Sequence, residues 1–172
     1  MVLMMIILRV IHILFGIFWV GTTLFLVFFF DPTIKAAGPA GDAVMGRLTL
    51  RRFSMVMGIS AILTVGAGFV MYVKESGGIQ LSWIATPAGI TMTIGSLAGI
   101  LAFLLGLLVQ TPNGVRMAAL QKEIQAAGGQ PTPSQLAETG VLQKRLSNAS
   151  RWGAALMVIA VLGMSIAREL GD

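Results

Sequence analysis

Four stretches of this chain, residues 10–30, 53–73, 87–110 and 148–168, contain no acidic residue. Apart from Arg151 and Arg168 at the margins of the last, they contain no basic one either. At about 1.5 Å per residue, some 20 helical residues cross the roughly 30 Å hydrocarbon core of a bilayer. Lipid offers no partner to a backbone N–H or C=O, so each such stretch must satisfy its own hydrogen bonds as a helix. The expected fold is therefore all-α, an integral membrane four-helix bundle, with all 172 residues in a single four-span domain. Only 11% of residues are charged and mean hydropathy is +0.87, where a soluble domain carries about 25% charge. The first stretch lacks a basic n-region and a small-residue cleavage site, so it reads as a retained span.

The span ends carry their own signals. Asp31-Pro32 is expected to end the first, Arg51-Arg52 to open the second and Lys74-Glu75 to close it. Thr86 suits the N-cap of the third, with Pro87 at the first helical position. Lys35, Arg47, Arg51 and Arg52 lie in the first loop, and Arg116, Lys122, Lys144, Arg145 and Arg151 in the third. Only Arg9, Lys74 and Arg168 lie on the opposite side. Nine basic residues against three place the first and third loops in the cytoplasm and both termini outside. The net charge of +5 sits beside spans, which points to a bilayer as partner and away from nucleic acid. Trp83 and Trp152 fall at opposite interfaces, as an aromatic belt requires.

Residues 111–147 are expected to form a cytoplasmic helical hairpin extension between spans three and four, projecting two to three turns. "NGVRMAALQKEIQAA" continues the third helix, "GGQPTPSQ" breaks it, and Thr132 with Gln135 makes a capping box for the next. The hairpin is either a plain link or a docking surface for a partner. "KAAGPAGDA", residues 35–43, reads as a flexible turn. Gly95 and Gly99 form a GxxxG on the third span, suited to helix contact within the chain, a homo-oligomer or a membrane-complex partner.

Chemistry at depth has few candidates. With no Cys there is no disulfide, thiolate site or thiol nucleophile. All seven carboxylates lie in loops or at span ends, which disfavours a proton relay and leaves no acid to orient a triad. No catalytic residue is assigned. What remains is His12, the only histidine. His12, Gly16, Trp19 and Thr23 share one face of the first helix, and a polar group in lipid turns that face inward. Met71, Met92 and Met164, with Tyr72 nearby, fall at comparable depth on the other spans. An imidazole nitrogen with thioether sulfurs suits Cu(I); the same pair can hold a haem b iron axially. The plain alternative for His12 is a single interhelical hydrogen bond, and for each Met, packing. Two bis-His haems are excluded by the single histidine.

At "HILFGIFWVG" the pattern His-x6-Trp-x-Gly resembles the first helix of the copper resistance protein D family, and "RRFSMVMGISAILTVGAGF" resembles that family's Arg-Phe-Ser opening and later Gly stretch. The resemblance covers about the first 70 residues and lands on His12, Trp19, Gly21, Arg52, Phe53, Ser54 and Gly68. It implies a bacterial inner-membrane protein that moves copper from the periplasmic side. Thr22 stands where a second Gly is usual. A more distant resemblance is to the HemJ-type haem and porphyrin proteins, which share a His followed by a Trp in their first helix. Three readings follow: a copper-handling membrane protein using His12, Met71, Met92 and Met164; a mono-haem b protein with His12 axial; and a cofactor-free accessory subunit of a membrane complex.

Overall fold

The structure, a computed structural model, describes residues 2–38, 40–41, 44 and 52–171. The turn expected over residues 35–43 lies partly outside these, and Arg47 and Arg51 lie wholly outside. Five helices make up most of the described chain: α1 (Val2–Ala36), α2 (Phe53–Glu75), the single turn α3 (Leu81–Ile84), α4 (Pro87–Ala126) and α5 (Pro133–Glu169). No strand occurs among the described residues. The four longer helices are all long and apolar enough to cross a membrane, so the fold is an all-α membrane bundle.

Asp31-Pro32 does not end the first helix, contrary to the sequence expectation. A proline lacks the N–H for an i→i−4 bond, and its ring crowds the carbonyl four residues back. Here the turn before it widens into a π-helix over Leu26–Phe30, with the Asp31 N–H donating to the Leu26 carbonyl. The helix then continues to Ala36. α4 makes the same adjustment at Thr111-Pro112, where Gly106–Gln110 is π-helical and the Thr111 N–H donates to the Gly106 carbonyl. Side chains supply extra donors beside both interruptions: Thr33 to the Phe29 carbonyl at 2.6 Å, and Asn113 to that of Val109 at 2.6 Å.

α1 packs along α2, and α4 along α5; the two seams joining these pairs, α2–α4 and α1–α5, are much smaller. Close approach in lipid depends on small side chains. A Cβ at Gly95 would lie 3.1 Å from the Ala160 carbonyl oxygen and the Met164 nitrogen, and one at Gly163 3.0 Å from the Gly95 Cα. Gly99 faces the Ala160 methyl. Of the uses the sequence left open for the GxxxG, the fold realises contact within the chain, because α5 covers that face. Gly58 and Gly66, by contrast, face open space on α2.

Beyond Gln110, α4 continues for the sixteen residues of Thr111–Ala126, about 24 Å. This arm of the hairpin is more than four turns long. Leu120 and Leu142 are buried between its two arms. Arg116 holds Glu138 with two bonds, Nε to Oε1 at 2.6 Å and Nη2 to Oε2 at 2.9 Å, and reaches Glu123 through Nη1 at 2.9 Å. The bonds to Arg116 hold the Glu138 carboxyl below the usual carboxylate range. The returning helix starts at the expected capping box: the Gln135 N–H donates to Thr132 Oγ1, and the Thr132 N–H to Gln135 Oε1.

Candidate functional site

Trp19 of α1, Ala61 of α2, Ala102 of α4 and Met157 of α5 pack into one core layer that all four long helices share. A shift of seven residues along a helix nearly restores the same facing and moves about 10 Å along the axis. Applied to each member of this layer, toward the end of the bundle holding α3, the shift lands on His12, Gly68, Gly95 and Met164. Direct contacts agree with this register: Gly68 lies against the His12 ring, and Gly95 against the Met164 backbone. Three residues further out, about 4.5 Å, Met71 and Met92 share the next level. All three methionines are half-buried.

The imidazole is fixed by α2. Its Nδ1 lies 2.7 Å from the Thr64 backbone carbonyl. A carbonyl only accepts, so Nδ1 carries the proton and donates it there. In the neutral ring Nε2 then carries the lone pair, the tautomer in which histidine ligates a metal through Nε2. Gly68 makes room for the ring: a Cβ there would lie 2.7 Å from His12 Cε1 and 2.9 Å from Nδ1. Gly16, one turn along α1, receives the Thr64 methyl, since a Cβ at 16 would meet Thr64 Cγ2 at 3.4 Å.

The neighbouring hydroxyls do not compete for the imidazole. Thr64 donates to the Ser60 carbonyl at 2.7 Å and Thr23 to that of Trp19 at 2.8 Å, each four residues back on its own helix. Trp19 is 8% exposed, so the layer beneath His12 is closed.

Counted along the helices, His12 and Met164 fall at one level and Met71 and Met92 about one turn further out, where the sequence reading sets all four at comparable depth. The fold divides them between pairs, with His12 and Met71 in the α1–α2 pair and Met92 and Met164 in the α4–α5 pair. Of the other residues the resemblance singled out, Arg52 is exposed with φ +61° immediately before α2, Phe53 opens that helix, and Ser54 and Gly21 are exposed. Sequence reasoning missed the Thr64 carbonyl, because a backbone acceptor has no residue signature. It also missed Tyr72–Thr93, a hydroxyl pair 2.6 Å apart across the α2–α4 seam.

Among the described residues, no group of three His, Cys, Asp or Glu side chains gathers where it could hold a metal. The donors at this level are one imidazole and thioethers, a soft set. No protein-family model matches the chain, and no curated protein or solved structure does.

Proposed function

We propose that this protein handles copper(I) in a bacterial inner membrane, taking the ion as cargo at His12 Nε2 and Met164, with Met71 and Met92 as the preceding pair of thioethers. The observation that supports this reading is the His12 Nδ1–H bond to the Thr64 carbonyl, which leaves Nε2 of the neutral ring free to act as a ligand. The resemblance of the first 70 residues to the copper resistance D family supports the same reading. The bias of basic residues puts the α4–α5 stem in the cytoplasm and both termini outside. The site is then reached from the extracytoplasmic side. The closed Trp19 layer favours binding and hand-off on that side over conduction through the bundle.

Close packing supports an ion over a macrocycle. The His12 ring already rests on the Gly68 backbone, and Gly95 on that of Met164. The surface hollows lined by Val2, Met5, Ile6 and Arg9 and by Leu101, Leu104 and Leu108 do not include His12. A haem b would have to part the helices, so no haem chemistry is assigned.

Competition of the purified protein with a Cu(I) chelator tests the proposal. Losing an outer-shell partner costs metal affinity about 10–100-fold; His12→Ala removes a ligand and is expected to cost more, with Met164→Leu also weakening binding. Unchanged affinity in His12→Ala overturns the assignment. The stem favours a second reading as a subunit that docks a partner, since it extends about 24 Å and carries its own ionic clamp.

A further inference from the structure

The two helix pairs meet along small seams, and a side-chain hydrogen bond crosses between them. Thr93 Oγ1 donates to the Gly89 carbonyl at 2.6 Å, four residues back. Its proton is thereby committed, so the Tyr72 hydroxyl is the donor in the 2.6 Å bond to Thr93 Oγ1. Among the described residues this is the only side-chain hydrogen bond joining the α1–α2 pair to the α4–α5 pair. Tyr72 directly follows Met71, so the bond lies beside the Met71–Met92 level, about one turn outward of His12.

The connection from α2 to α4 holds this contact in place. Ser76, 1% exposed, accepts the Ile79 N–H at 2.9 Å and tightens a turn in which Gly77, Gly78 and Ile79 all have positive φ. The turn brings Trp83 edge-on to Tyr72, with ring centroids 5.7 Å apart at 86°. A side chain at Gly89 would collide with the Trp83 carbonyl, so α3 lies directly on the start of α4.

We propose that Tyr72 is the gate to His12: its hydroxyl latches α2 to α4 beside the outer methionine level, and breaking that latch opens the seam through which a ligand reaches Nε2. The inference rests on reading His12 as the site, but its test needs no metal. Because the chain has one histidine, acylation of His12 by diethylpyrocarbonate in lipid vesicles, followed by mass spectrometry of its peptide, reports access to Nε2 directly.

Tyr72→Phe removes only the hydroxyl and is expected to raise the acylation rate roughly fivefold, the worth of one neutral interhelical hydrogen bond. Thr93→Val should do the same, and the double variant should add nothing. Thr91→Val removes a hydroxyl bonded within its own helix, to the Pro87 carbonyl at 2.8 Å, and should leave the rate unchanged. A wild-type rate in Tyr72→Phe, or single effects that multiply in the double variant, overturns the gate. Gated acylation without Cu(I) binding would remove the copper reading alone; Cu(I) binding with ungated acylation would remove the gate alone.

Discussion

Gly68→Ala is the most informative substitution, because two effects on α2 oppose each other and the structure decides the sign. Helix propensity favours alanine over glycine by about 0.8–1 kcal/mol. Against that, the new methyl would lie 2.7 Å from His12 Cε1 and 2.9 Å from Nδ1. The ring must swing away or α1 must retreat, an overpacking cost of about 1–3 kcal/mol. Either movement breaks the 2.7 Å bond to the Thr64 carbonyl, a further loss of about 1 kcal/mol. The expected net destabilisation is about 1–3 kcal/mol, read by equilibrium unfolding in mixed detergent micelles. Gly66→Ala is the internal control, because a Cβ there meets nothing within 4 Å; it should be neutral or stabilising. In a His12→Ala background the penalty at 68 should largely vanish, as coupled sites require. A Gly68→Ala protein as stable as Gly66→Ala would refute the seating of the imidazole on α2.

Three further outcomes follow from the same geometry. Gly95→Val is expected to destabilise the α4–α5 pair by at least about 2 kcal/mol in the same unfolding assay. The added Cβ faces backbone of α5 at 3.1 Å, which cannot rotate away, while oligomeric state should stay unchanged by size-exclusion with light scattering. The stem should be pH-sensitive only on the acid side. Glu138 has its carboxyl lowered by the Arg116 bonds, so its contribution is fully present above the ordinary carboxylate value of about 4.3. That contribution is lost as pH falls through the lower folded value, and hydrogen exchange at 117–142 should accelerate only there and lose this pH dependence in Arg116→Ala. Finally, Met164→Leu should weaken Cu(I) binding while leaving the Tyr72-gated acylation of His12 at the wild-type rate, since leucine conserves volume without the thioether.

The spans were legible because an uncharged run of twenty residues has one solution in lipid, and the capping box at Thr132 and Gln135 marked the start of α5. The end of α1 was not legible: Pro32 signals a break, yet a wider turn at Leu26–Phe30 absorbs it, and that choice belongs to the backbone. A comparable depth for His12, Met71, Met92 and Met164 could be counted from the span ends, since antiparallel helices crossing one slab share a depth scale, although the helix register sets Met71 and Met92 one turn outward of the other two. Which helix pairs with which could not. Gly95 and Gly99 alone do not say whether their partner is α5 or a second copy. The Arg116–Glu138 pair was equally hidden, because in sequence both were only charges in a loop.

The central claim, that His12 keeps its proton on Nδ1 and offers Nε2 to a soft ion, is tested most directly by nitrogen-15 NMR of histidine-labelled protein, which has a single imidazole. The expected spectrum has a protonated Nδ1 and a bare Nε2 in the metal-free protein, and stoichiometric Cu(I) shifts Nε2 while Nδ1–H persists. A proton on Nε2 in the metal-free state, or an Nε2 resonance indifferent to Cu(I), would contradict the account.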